Sequence, residues 1–171
     1  MQLISDEYRQ EQANLHASNS NYGVASLNFG PLVSGLVDAV KADTLLDYGC
    51  GSKRSLMSVL SPVRDIVYLG YDPAIPEFSI KEPSDLVVCI DVLEHVEPEL
   101  LDNVLDDLMM LTKGWAFLTV HTKQAAKVLS DGRNAHLIQK PASWWLPKLM
   151  QRWELQKFDR TTAGFNVLMK I

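Results

Sequence analysis

The sequence predicts an α/β fold: an open, mostly parallel sheet with helices on both faces and an antiparallel hairpin at the C-terminus. Three observations predict it. Short apolar runs of strand length alternate with helix-period stretches between residues 31 and 120. The run from Asp85 to Asp91 is apolar on both faces, as a buried parallel strand must be. The last residues, from Trp153 onward, turn through Gly164 into a segment that alternates with period two.

Taken in order, Leu32, Val33, Leu36, Val37 and Val40 recur at helical spacing, and Pro31 suits a first turn. A strand follows at Leu45 to Tyr48 and ends in Asp47-Tyr48-Gly49-Cys50-Gly51. Arg54 to Leu60 reads as a short helix stopped near Pro62. Ile66 to Tyr71 is a second strand ending at Asp72-Pro73, and Asp85 to Asp91 is the third. Pro98 opens the most regular helix, with Leu101, Val104, Leu105, Leu108 and Leu111 in one stripe, acidic Glu97 and Glu99 at its start, and Gly114 as a stop. Trp115 to Val120 is a strand, and residues 121–152 are less regular. In the terminal hairpin Phe165, Val167, Met169 and Ile171 share one face.

A chain of 171 residues that is 47% hydrophobic buries one ordinary core, so residues 1–171 are expected to form a single domain that also carries the active site. Met1 to Gln10 is polar where a secretion signal would be apolar, and no stretch approaches the roughly 20 apolar residues of a membrane span. A cytoplasmic location is expected. Cys50 and Cys89 lie in apolar segments without metal-cluster or disulfide spacing, which points to reduced structural thiols and to no metal centre. The net charge of −5 is unevenly placed: residues 1–122 carry 7 Lys/Arg against 18 Asp/Glu, whereas residues 123–171 carry 9 against 3. Differing solvated faces explain this, and so does attraction of the basic part to an anionic acceptor such as a phosphorylated metabolite, a nucleic acid or a lipid headgroup.

Ligands of such sheets bind at the carboxyl ends of the strands, where the strand order switches. Gly49 and Gly51 follow the first strand and let the backbone turn sharply beside a ligand. Asp72 follows the second, about 20 residues beyond the glycines, where a carboxylate accepts ribose hydroxyls. A dinucleotide site needs a third small residue three positions after Gly51, and that position is Arg54. Asp47, two residues before the first glycine, suits an ammonium better than a phosphate. A ligand with an ammonium, a carboxylate and a ribose is S-adenosylmethionine.

Three segments, Leu45-Leu46-Asp47-Tyr48-Gly49-Cys50-Gly51, Leu69-Gly70-Tyr71-Asp72-Pro73 and Cys89-Ile90-Asp91-Val92-Leu93-Glu94-His95-Val96, resemble in order and spacing the motifs of class I S-adenosylmethionine-dependent methyltransferases. The resemblance covers residues 30–122 and implies a Rossmann-like, seven-stranded sheet whose last strand is antiparallel. It implies that Asp47, Gly49, Cys50 and Gly51 hold the methionine portion, Asp72 and Pro73 the ribose, and that Asp91, Val92 and Leu93 line the pocket near the sulfonium. His95 would lie beside the acceptor. The family's third glycine falls at Lys53, and the interval from Asp72 to Asp85 is short for a helix plus a full strand.

Methyl transfer needs alignment of the acceptor, and a base only where the acceptor loses a proton. His121, His136 and His95 are the candidates by position and by ordinary imidazole basicity. A lone histidine is more often a satisfied surface or core residue than a catalytic one, and Asp91 is equally open to capping a helix and to contacting the cofactor. Trp144 and Trp145 suit core packing by their spacing with Leu146, Leu149, Met150 and Trp153, or an aromatic wall for the acceptor. Residues 1–30 are expected to fold over the cofactor, with Tyr22 as lid residue, and residues 121–152 to form the acceptor side. The expected activity is methyl transfer to a small or terminally exposed acceptor. The alternatives are another use of the same cofactor by transfer or cleavage, a catalytically idle binding subunit, and a reductase distinguishable by NAD binding.

Overall fold

The computed structural model describes residues 1–18 and 24–171. Helix α1 (Asp6–Ser18) and α2 (Gly30–Val40) precede strand β1 (Thr44–Tyr48), then β2 (Val67–Tyr71) and β3 (Ser84–Ile90). Helix α3 (Leu101–Leu111) runs directly into β4 (Thr112–His121), and α4 (Ala142–Met150) leads to the hairpin β5 (Glu154–Arg160) and β6 (Gly164–Lys170). The sheet order is β2-β1-β3-β4-β6-β5. β1, β2, β3 and β4 are mutually parallel neighbours, and β6 runs antiparallel to both β4 and β5.

The two periods read from the sequence build two cores. Along β3, Val87 and Cys89 face one side with α3, α4 and the hairpin, while Leu86, Val88 and Ile90 face the other with Val33 and Val37 of α2. Every residue of β3 except Asp85 is buried, which suits a strand covered on both faces. Leu101, Val104, Leu105, Leu108 and Leu111 of α3 are all buried, as their stripe requires. Trp145 is fully buried among them, and Trp144 is partly buried with the Lys148 ammonium 5.0 Å from its ring. The core alternative for this pair therefore holds for Trp145.

Several expected details differ. The described residues form six strands rather than seven, because residues 73–83 contain three prolines and make one 3₁₀ turn at Pro76–Phe78 where a helix and an outer strand would stand. β2 is accordingly an edge. Arg54 to Leu60 is not an α-helix: Arg54 sits at φ 47°, which breaks helical geometry at the start, and only Met57–Val59 forms a 3₁₀ turn. Gly114 lies inside β4, since α3 already ends at Leu111 and Thr112 Oγ1 donates to the Leu108 carbonyl at 2.8 Å. Ile171 lies beyond the last strand and is exposed.

Helix α1, which no apolar stripe announces, docks through Tyr8, together with Ile4 just before it, onto Leu129 and Ala135. Part of the charge asymmetry is paired within the fold: Arg152 meets Asp106 at 2.6 Å and Asp102 at 3.2 Å, both on α3. No helix among the described residues is long and apolar enough to cross a membrane.

Candidate functional site

Strand order reverses at β1, between β2 and β3, and a cavity of about 270 Å³ opens there at the carboxyl ends. Its size approaches the roughly 300–1,000 Å³ of small-molecule sites. Of the expected residues, Gly49, Gly51, Asp72, Pro73, Asp91, Val92, His95, His121 and His136 line it. Asp47, Cys50 and Leu93 stand behind the wall and are buried. Tyr22 lies outside the described residues.

The floor is the loop after β1. Gly49 and Gly51 have φ of 82° and 65°, which an L side chain resists, and a Cβ on Gly49 would meet Val92 Cγ2 at 2.4 Å. The loop's N–H groups are already committed. Gly49 N and Cys50 N donate to the Tyr71 carbonyl at 2.7 and 3.0 Å, and Gly51 N donates to Asp72 Oδ2 at 3.0 Å. With those donors engaged and no α-helix starting after Gly51, the loop is not a phosphate cradle. The other Asp72 oxygen accepts Ala74 N at 2.9 Å, so the carboxylate is fixed in orientation at the cavity edge.

The cavity wall holds the carboxylates of Asp72, Asp91 and Glu97 and no lysine or arginine among the described residues. Such a lining favours a cationic ligand. Behind it, Asp47 accepts the Tyr68 hydroxyl at 2.6 Å, and burial pushes its carboxyl up to about 7 despite that bond. Burial also pushes the thiols of Cys50 and Cys89 up, which leaves both as inert packing groups.

The far wall gathers three histidines from distant parts of the chain. His95 and His136 meet edge-to-face with centroids 4.8 Å apart, and His121 and His136 do so at 5.5 Å. His121 Nε2 lies 3.5 Å from Asp91 Oδ2, while Asp91 Oδ1 accepts the Thr119 hydroxyl at 2.7 Å. Asp91 therefore orients a histidine rather than capping an α-helix. Burial and the neighbouring His136 push His95 down to about 4, so its ring is neutral near pH 7.

The N-terminal segment expected over the cofactor contributes Leu3, Ile4, Tyr8 and Gln12 to the lining, although Tyr22 is the residue the sequence singles out there; Ser5 N donating to Glu97 Oε2 at 2.8 Å and Tyr8 Oη donating to the His95 carbonyl at 2.8 Å fix it. Glu94 was missed. It is fully buried beside Leu93, Oε1 accepts His121 N at 2.9 Å, and burial followed by the nearby Asp91 pushes its carboxyl up to about 8. An acid inside the apolar run Val92-Leu93-Glu94-His95-Val96 was the available signal.

Comparison with solved structures places the chain among methyltransferases in fold. A bacterial CtHen1 methyltransferase domain is 14% identical with TM-score 0.61, covering 85% of this chain and 100% of that one. An O-methyltransferase family protein from Burkholderia thailandensis is 14% identical with TM-score 0.62, covering 94% of this chain and 63% of that one. Magnesium protoporphyrin IX methyltransferase from Synechocystis PCC 6803, with bound SAH, is 13% identical with TM-score 0.60, covering 96% and 95%. No protein of curated function matches the sequence. A family model described as a methyltransferase domain matches residues 25–167, most of the length, and the chain belongs to that family.

Proposed function

We propose that the protein transfers the methyl group of S-adenosylmethionine to a small or terminally exposed acceptor. The observation that carries this is one continuous cavity, in a member of the methyltransferase family, running from Gly49, Gly51 and Asp72 past Asp91 to His95, His121 and His136. When bound, the cofactor supplies an electrophilic methyl group on a cationic sulfonium. Asp72 presents its fixed carboxylate to the ribose hydroxyls, and Pro73 flanks it. Gly49 and Gly51 offer side-chain-free backbone to the methionine portion, with Cys50 and Asp47 shaping the loop from behind. Asp91 and Val92 face the sulfonium end, and Leu93 supports them from the core.

The acidic lining and the committed loop donors favour this cation over a dinucleotide, and the SAH held by the Synechocystis relative points the same way. On the acceptor side His121 is the best placed base, because it lines the cavity with its Nε2 3.5 Å from Asp91 Oδ2, which orients the ring. His95 is too weak a base for that work and serves to shape the pocket. The chain acts as one domain, with residues 1–30, Tyr22 among them, closing over the cofactor and residues 121–152 forming the acceptor side. The lining contributed by Leu3, Ile4, Tyr8 and His136 supports that division.

Isothermal titration with S-adenosylmethionine, S-adenosylhomocysteine and NAD tests the proposal. The first two should bind in the micromolar range and NAD should not. Asp72→Asn keeps one oxygen for a backbone N–H and should weaken binding at least tenfold without a collapse of the melting temperature. Absence of S-adenosylhomocysteine binding by folded wild-type protein would overturn the assignment.

A further inference from the structure

We propose that Glu94, His95 and His136 form a divalent-metal site on the acceptor side of the cavity, with an open position for an acceptor oxygen. One ligand atom from each of the three lies within 4.8 Å of the others. A zinc-class ion bound to nitrogen and oxygen at about 2.0–2.1 Å draws tetrahedral ligands to roughly 3.4 Å apart, so the side chains need to close by roughly 1.5 Å. Two imidazoles and one carboxylate are the donor set of open, substrate-binding sites rather than closed structural ones.

Two independent observations point to a ligand there. Glu94 is fully buried, yet its Oε2 has no hydrogen-bond partner while Oε1 accepts His121 N. A buried carboxyl oxygen without a partner is costly whether or not it is protonated, and a cation that displaces the proton removes that cost. The second is the orientation of the rings. His95 Nδ1 lies 2.8 Å from the Ala135 carbonyl and His136 Nδ1 lies 2.6 Å from the Lys123 carbonyl. Each Nδ1–H donates to that carbonyl, which leaves Nε2 as the atom through which each ring would ligate. Backbone carbonyls that fix tautomer and orientation in this way are the usual outer support of metal-bound histidine.

His95 and His136 both line the cavity, so a metal held between them reaches its contents. An oxygen-bearing acceptor, a hydroxyl or phenol, fills the fourth position and is thereby held for reaction. The ion's charge also makes that hydroxyl more acidic. This use of the site rests on the methyl-transfer assignment, whereas metal binding itself does not.

The test uses the full chain after chelator treatment, titrated with Zn²⁺ and with Co²⁺, whose visible d–d absorption reports coordination geometry. One equivalent should bind, with a band that shifts when acetohydroxamate is added as an oxygen ligand. Glu94→Gln and His136→Gln should each weaken binding at least a hundredfold, with melting temperatures recorded to show that both fold. No binding by wild type, binding that survives both substitutions, or a band indifferent to acetohydroxamate overturns the proposal. S-adenosylhomocysteine is titrated into the same sample. Its failure to bind while metal binds removes the methyl-transfer assignment alone, and the reverse result removes the metal site alone.

Discussion

Gly49→Ala separates two physical demands that meet at one position. Gly49 has φ 82°, and an added Cβ would stand 2.4 Å from Val92 Cγ2 and 3.0 Å from Cγ1. The left-handed backbone costs an alanine roughly 1–2 kcal/mol. Pushing Val92 aside adds an overpacking cost of roughly 1–3 kcal/mol. Together they predict a loss of about 2–5 kcal/mol in urea unfolding at unchanged slope. The double variant Gly49→Ala/Val92→Ala removes the collision and leaves the backbone cost, so relative to Val92→Ala alone the glycine substitution should cost only about 1–2 kcal/mol. Because both residues line the cavity, the single variant should also bind S-adenosylhomocysteine more weakly than the double variant. If the glycine substitution costs as much in the Val92→Ala background as in the wild type, the contact is not what excludes a side chain, and the reasoning fails.

Asp47→Asn should change the pH dependence of stability. Burial raises the carboxyl from an ordinary 3.8 to about 7, so the folded state holds its proton more tightly than the unfolded chain. Stability from this group is therefore lost as pH rises from about 4 to about 7, by up to about 4 kcal/mol. Asparagine keeps an acceptor for Tyr68 and has no such loss, so its advantage over wild type in thermal melts should grow between pH 5 and pH 8; a constant difference would refute this. Trp145→Ala, at a fully buried position, should cost about 3–5 kcal/mol in urea unfolding. Trp145→Phe should cost less than half as much, since Nε1 has no partner to lose; equal costs would contradict that. Tyr8→Phe removes the hydroxyl donated to the His95 carbonyl and should cost about 0.5–1.5 kcal/mol, measurable by the same unfolding.

The fold was legible wherever a period was long and uncontested. Five apolar residues at helical spacing sufficed for α3, and a seven-residue run buried on both faces sufficed for β3. The failures have physical causes. Arg54 to Leu60 carries a helix-like composition, but the turn out of Gly51 forces Arg54 to positive φ. α1 shows little amphipathic pattern because it buries only a narrow strip, Tyr8 and Gln12 with Leu15 partly covered. The Gly49–Asp72 end of the cavity follows from local motifs, since Gly49, Gly51 and Asp72 lie just after the strands that place them. The histidine end does not. His136 reaches His95 only because residues 121–138 fold back, with Ile138 N donating to the Glu94 carbonyl at 3.0 Å, a long-range contact that no short window contains.

The missing outer strand bears on what the site needs from the sheet. Gly49 N and Cys50 N hang on the Tyr71 carbonyl, Asp72 holds Gly51 and Ala74, and Asp72 N donates to the Phe78 carbonyl at 2.8 Å, so the floor of the cavity is tied to β1, β2 and the turn after β2. The far wall comes from the ends of β3 and β4, with Asp91 hydrogen-bonded to Thr119 and Glu94 to His121. The short segment after β2 supplies Pro73 and Ala74 to the cavity lining in the absence of an outer strand. The shortened edge therefore still fixes Asp72 and Gly51, whereas the same shortening between β3 and β4 would remove α3 and the core that packs behind Leu93.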